Sequence, residues 1–136
     1  MKSIVCALDF SDSSEKALEV ASALARKHQA QLAILFSYRL LPAELNDEAS
    51  TIKSRILTNA KEKFQKLEQK FTLPGSVDYE FKTEIGFLAD RVENFARKKN
   101  VDLVVLSEEQ AHTVNDQRGS NLKEILEELN IQYLII

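Results

Sequence analysis

The sequence predicts an α/β domain, a five-stranded and mostly parallel sheet with helices on both faces, spanning residues 1–136 as one unit. Three observations carry this expectation. Short apolar runs at residues 4–8, 32–36 and 101–106 lack the polar alternation of a half-wet strand, so they suit strands buried on both faces. Between the runs lie longer segments with apolar residues three and four apart, the period of helices that cover such a sheet. No internal repeat, low-complexity tract or linker divides the 136 residues, an ordinary length for one domain.

The first run, Ile4-Val5-Cys6-Ala7-Leu8, stops at Asp9. Asp12-Ser13-Ser14-Glu15 then reads as a capping box, with Asp12 accepting from an early helix amide and Glu15 reaching back. The helix that follows places Ala17, Leu18, Ala21, Leu24 and Ala25 on one stripe. It closes on Arg26, Lys27 and His28, which suit the negative end of a helix dipole. Residues 32–36 make the second strand, and Pro42 breaks the chain. A long helix is expected from about Asp47 to Lys70, with Ile52, Ile56, Ala60, Phe64, Leu67 and Phe71 on one face. Lys61, Lys63, Lys66 and Lys70 on it are interleaved with Glu62 and Glu68, the pattern of a solvated face. Pro74-Gly75 marks a turn. Val77, Tyr79 and Phe81 alternate with Asp78, Glu80 and Lys82, a strand with one wetter face near a sheet edge.

Gly86 precedes a third helix with Leu88, Ala89, Val92, Phe95 and Ala96 inward. It ends in Arg97-Lys98-Lys99, with Asn100 available for a left-handed cap. The fourth strand, residues 101–106, is interrupted by Asp102, and a polar loop runs from Ser107 to Arg118. Gly119-Ser120 opens a fourth helix carrying Leu122, Ile125, Leu126 and Leu129, with Ser120 as its N-cap. Ile131-Gln132-Tyr133-Leu134-Ile135-Ile136 is the fifth strand. Strands alternating with crossover helices imply a parallel, Rossmann-like sheet.

Composition narrows the function classes. The chain is 44% hydrophobic and 29% charged, which argues against global disorder. Eighteen basic residues against 21 acidic ones leave a net charge of −3, with no electrostatic case for nucleic acid or an anionic membrane. No apolar run approaches the roughly 20 residues that span a bilayer, and the first residues lack the basic-then-apolar pattern of a leader. A cytoplasmic protein is expected. Cys6, His28 and His112 are the sole soft metal ligands, too few for a Cys/His zinc site, so no metal is expected. Cys6 lies within the first strand and reads as an inert core thiol.

In an open α/β sheet, ligands bind outside the carboxyl ends of the strands. Those ends are Asp9, Ser37, the turn from Thr83 to Gly86, and the loop after Leu106. Three glycines, Gly75, Gly86 and Gly119, cannot write either GxGxxG or GxxxxGK[ST]. A phosphorelay receiver would need an Asp after the third strand and a Lys after the fifth. Here the third strand meets Thr83-Glu84 and the fifth has no such Lys. No GxSxG elbow is present, and neither histidine stands at a recognised spacing from a nucleophile.

With these elements in place, the chain resembles the universal stress protein family over its whole length. The resemblance rests on Ile4 to Ser11 followed by Ser14 and Ala17-Leu18, and on Gly86 with Ala89-Asp90 and Ala96. Asp102 to Leu106, Gly119-Ser120 and the closing run Ile131 to Ile136 complete it. It implies an adenine nucleotide alpha hydrolase-like fold. ATP-binding members carry a G-x2-G-x9-G-[S/T] loop whose glycines let backbone amides reach the phosphates and whose end opens a helix. The resemblance assigns Asp9 to the acid on the adenine or ribose side, Ser37 to the position lining the adenine pocket, and Gly119 and Ser120 to the final pair. The first two glycine positions fall on Ser107 and Gln110, with Glu108 and Glu109 between them, and the loop is one residue shorter. Forcing a non-glycine residue into the left-handed region costs roughly 1–2 kcal/mol. A carboxylate about 4 Å from a phosphate costs about 1 kcal/mol in water and about 4 at an effective dielectric of 20.

The expectation is therefore a non-catalytic member that does not bind ATP in the usual geometry, without a cofactor. An adenine-nucleotide-binding regulator using ATP or AMP is the alternative. Tyr133, Leu134, Ile135 and Ile136 form an apolar strand, and an edge strand there would invite pairing with another chain. The resemblance implies antiparallel contact of this strand in a homodimer, with an unidentified protein or small ligand as further partner.

Overall fold

A computed structural model describes residues 1–40, 49–114 and 119–136. The elements run β1 (Ser3–Ala7), α1 (Asp12–His28), β2 (Gln31–Tyr38), α2 (Ala49–Lys70) and β3 (Asp78–Ile85). They continue α3 (Leu88–Lys98), β4 (Leu103–Leu106), α4 (Glu108–His112), α5 (Leu122–Glu128) and β5 (Tyr133–Ile135). Five strands form one sheet in the order β3-β2-β1-β4-β5, and every pairing is parallel. The chain winds outward from β1 to β3, then returns to lay β4 on the other side of β1. The crevice between the carboxyl ends of β1 and β4 is therefore the topological switch point, where open sheets of this kind take ligands.

Strand alternation splits the core into two layers. Ile4, Cys6, Leu32, Ile34 and Val105 face α1 and α2, meeting Ala17, Leu18, Ala21, Phe64 and Leu67. Val5, Ala7, Ala33, Leu35 and Val104 face α3 and α5, meeting Ala89, Val92, Ile125 and Leu126. The β3 edge is as wet as its alternation predicts. Its charged face meets one stripe of α3: Arg91 lies 3.9 Å from Glu84, Lys99 3.8 Å from Glu80, and Lys82 stands 5.2 Å over the Phe95 ring. On α2, Lys61, Lys63, Lys66 and Lys70 are exposed, with Lys70 paired to Glu15 at 3.7 Å. Among the described residues no helix is long and apolar enough to cross a membrane.

Several local expectations are corrected. The cap of α1 is Ser11 rather than Asp12: the Ser11 hydroxyl accepts from the Ser14 amide at 3.2 Å. The left-handed cap forms at Gln29 on α1, whereas α3 ends on an extended Lys99 that leads directly toward β4, so Asn100 has no capping role. The segment expected as a polar loop contains α4. The cap of α5 is Asn121 rather than Ser120, its Oδ1 accepting from the Glu124 amide at 2.8 Å. Pro42, Asp47 and Arg118 lie outside the described residues.

Asp102, which interrupts the fourth apolar run, ties the amino ends of β1 and β4 together. Its Oδ2 accepts from the amides of Lys2 at 2.7 Å and Ser3 at 3.0 Å. Those two bonds hold its carboxyl below the usual carboxylate range. A depressed carboxylate contributes stability above its unfolded pKa, about 3.9, and loses it as pH falls through the lower folded value. Asp102→Ala should therefore lower the melting temperature at neutral pH. The gap from the parent should close as the pH drops below about 4. A gap that persists unchanged in acid would assign the tie no electrostatic part.

Candidate functional site

The carboxyl ends of β1 and β2, the turn into α3, and α4 enclose a cleft of roughly 280 Å³. It is lined by Asp9, Ser37, Arg39, Phe87, Glu109 and Gln110, with Tyr38, Gly86, Leu88 and Thr113 completing the wall. That volume sits just under the about 300–1,000 Å³ typical of small-molecule sites. All four strand ends singled out in the sequence contribute, the third of them through Gly86.

Asp9 reaches the cleft because the chain turns sharply after β1. Phe10 adopts φ +64°, a left-handed conformation unusual for a bulky residue. Its ring is held by Phe36 at 5.2 Å and Phe81 at 6.3 Å, so packing offsets the strain. The turn lets the Ser11 amide, at 2.9 Å, and the Ser11 hydroxyl both donate to Asp9 Oδ1. The Asp9 amide donates to the Ser14 hydroxyl at 3.2 Å. Partial burial raises the Asp9 pKa, but the bonds from Ser11 and Ser14 outweigh it and leave the carboxyl below its ordinary range. Asp9 is thus held as a carboxylate at neutral pH.

Across the cleft, Gly86 takes φ +136°, and a Cβ there would stand 3.1 Å from Arg91 Nε. Glycine lets this turn bring Phe87 to the cleft wall. The Arg39 guanidinium lies 3.8 Å from the centre of the Phe87 ring, a stacked cation–π contact. Neither Arg39 nor Phe87 was singled out in the sequence. Arg39 follows Ser37-Tyr38 directly, and that proximity was the available signal.

The decisive geometry lies at the switch point. Ser107 and Gln110 form a capping box: the Ser107 hydroxyl accepts from the Gln110 amide at 3.1 Å, and Gln110 Oε1 accepts from the Ser107 amide at 2.9 Å. Gln110 Nε2 then donates to the Ala7 carbonyl at 3.1 Å, crossing from α4 to β1. Ser107 is fully buried and Gln110 is 4% exposed. The residues at the first two glycine positions are therefore bound to each other and to the end of β1. Glu109 lines the cleft, while Glu108 is exposed beside it. The Glu108 amide donates to the Ile136 carbonyl at 3.2 Å, so α4 also rests on the end of the fifth strand.

The structure thus brings Asp9, Ser37 and Gln110 together and sets Ser107 beneath them. Gly119 and Ser120 are not among the residues lining the cleft; Gly119 takes φ +82° in the approach to α5. The remaining titratable candidates lie elsewhere. Cys6 is buried in the sheet, and burial pushes its thiol well above the usual range. His28 and His112 are exposed in the last turns of α1 and α4. Among the described residues no three His, Cys, Asp or Glu side chains gather as a metal set.

Comparison with known proteins places this arrangement. The model of the universal stress protein family matches residues 1–136. Among solved structures, the universal stress protein UspA from Lactobacillus plantarum is 20% identical, with a TM-score of 0.76 over 99% of this chain and 97% of that one. A universal stress protein in complex with cAMP is 21% identical, with a TM-score of 0.73 over 99% and 96%. A universal stress protein from Archaeoglobus fulgidus in complex with dAMP is 20% identical, with a TM-score of 0.66 over 100% and 98%. No curated protein matches. At these identities the structural likeness shows the fold, and the match of the family model over the full length shows membership: the chain belongs to the universal stress protein family.

Proposed function

We propose that the protein is a non-catalytic, homodimeric module of cytoplasmic stress adaptation whose cleft does not hold ATP in the usual geometry of the family. The observation that carries this is the bond from Gln110 to the Ala7 carbonyl. A phosphate loop presents free backbone amides to its ligand. Here the Ser107 and Gln110 amides are occupied by each other's side chains, and the Gln110 side chain ties α4 to the end of β1. Absence of catalysis is supported by the state of the candidate groups. A general base works best with a pKa near the operating pH, and Asp9 is shifted the other way. The homodimer is supported by the position of β5 at the sheet edge.

A second reading, an adenine-nucleotide-binding regulator, is favoured by the two structural neighbours in complex with cAMP and dAMP. Calorimetric titration of the purified protein with ATP and Mg²⁺, with AMP in parallel, separates the two. The proposal expects no heat from ATP and an unchanged melting temperature. Micromolar ATP binding would overturn it, and AMP binding without ATP binding would select the regulator.

A further inference from the structure

The left-handed turn after β1 is tied to the seating of α2. Phe10 takes φ +64°, where a bulky side chain is strained, so the conformation lasts only while its surroundings enforce it. Three elements do so. Phe36 of β2 lies 5.2 Å and Phe81 of β3 6.3 Å from the Phe10 ring. Phe81 is in turn stacked on Phe64 of α2, with centroids 4.2 Å apart and planes at 5°. Lys63, next to Phe64 in the chain, sets its ammonium 5.6 Å over the Phe10 ring. α2 thus meets Phe10 directly through Lys63 and indirectly through Phe64 and Phe81. The same stretch anchors the helix: among its described residues Ala60, Phe64 and Leu67 are buried, and Glu68 accepts from the Tyr79 hydroxyl of β3.

On its other side the turn sets Asp9 and the start of α1. The Ser11 amide, at 2.9 Å, and the Ser11 hydroxyl donate to Asp9 Oδ1, and that hydroxyl caps α1 by accepting from the Ser14 amide. An extended residue at position 10 would carry the Ser11 amide away from the Asp9 carboxylate. We propose that Phe10 is a hinge clamped by α2. With Phe64 seated on Phe81 the turn stays left-handed and Asp9 stays bound to Ser11. When α2 lifts, Phe10 relaxes toward extended backbone and the Asp9 carboxylate is released. The position of α2 is thereby transmitted to a cleft that, among the described residues, none of its own side chains lines.

The test is a pH titration of the full chain that follows the Asp9 carboxyl carbon by NMR, with a thermal melt of each variant. Burial raises the Asp9 pKa and the bonds from Ser11 and Ser14 outweigh it, so loss of the Ser11 bonds moves the midpoint up. Phe64→Ala is expected to raise the midpoint toward the ordinary carboxylate value. Phe64→Leu, which keeps most of the buried volume, should shift it less and in the same direction. Leu126→Ala truncates a fully buried residue of the opposite layer, and should lower the melting temperature without moving Asp9. Phe10→Gly removes the left-handed penalty, so adding Phe64→Ala to it should leave the midpoint where Phe10→Gly alone puts it. An unmoved midpoint in Phe64→Leu, whether or not Phe64→Ala folds, would overturn the inference. So would an equal shift in Leu126→Ala, or an undiminished effect of Phe64→Ala on the glycine background. No ligand enters the titration, so ATP binding would overturn the preceding proposal and leave this one standing.

Discussion

Replacing Gln110 with alanine should lower the stability of the protein by about 2–4 kcal/mol, the largest single-residue effect expected at the cleft. The side chain is 4% exposed and bonds to two backbone groups, the Ser107 amide and the Ala7 carbonyl. Truncation strands both in a crevice. Each buried polar group left without a partner costs about 1–3 kcal/mol, more than the net worth of the bond it had. For a chain of this size the loss corresponds to a melting temperature lower by roughly 10 °C. Gln110→Glu separates the two bonds. A carboxylate can still accept from the Ser107 amide, but it cannot donate to Ala7 and would face that carbonyl with like polarity. Thermal melts of both variants should place Gln110→Glu no higher than Gln110→Ala. A neutral result for both would mean that α4 does not close the switch point in solution, and the argument against an ATP cradle would lose its support.

How much of this was legible beforehand follows from which interactions are local. Strand runs and helix stripes are written in the period of the apolar residues, so the parallel sheet and its wet β3 edge could be read directly. Caps were less secure because neighbouring residues compete. Ser11 and Asp12 both suit a helix start, and the turn at Phe10, which brings Ser11 against Asp9, settles the choice. No glycine marks that turn; its left-handed residue is stabilised by rings from β2 and β3, a tertiary effect. The α4 box had a local signal. Ser107-Glu108-Glu109-Gln110 has the spacing of a capping box, but read as a degraded glycine loop it was assigned to ligand contact. The bond from Gln110 to Ala7 joins residues 103 apart in sequence and had no sequence signal. The same is true of Arg39 on Phe87.

In the proposed homodimer, Leu134→Asp should shift the protein from dimer to monomer at low micromolar concentration, and the backbone of β5 says why. The Val104 amide donates to the Gln132 carbonyl, the Ile136 amide donates to Leu106, and the Glu108 amide donates to the Ile136 carbonyl. Residues 132 and 136 thus face β4, and alternation turns the amides and carbonyls of Tyr133 and Ile135 outward, where a second strand can pair with them. The side chains divide the other way. Tyr133 and Ile135 pack against the α5 layer, while Leu134 and Ile136 are 38% and 37% exposed. Deleting residues 133–136 would therefore damage the core and remove the carbonyl that supports α4, mixing unfolding with dissociation. Leu134→Asp alters an exposed side chain in place. Covering Leu134 in a symmetric pair contributes about 1–2 kcal/mol per protomer, so the pair loses about 2–4 kcal/mol, roughly a 30- to 1,000-fold rise in the dissociation constant. Sedimentation velocity would read the mass, and far-ultraviolet circular dichroism would show that the fold is kept. A folded Leu134→Asp variant that sediments as an undiminished dimer would move the interface away from β5, toward β3 at the opposite edge of the described sheet.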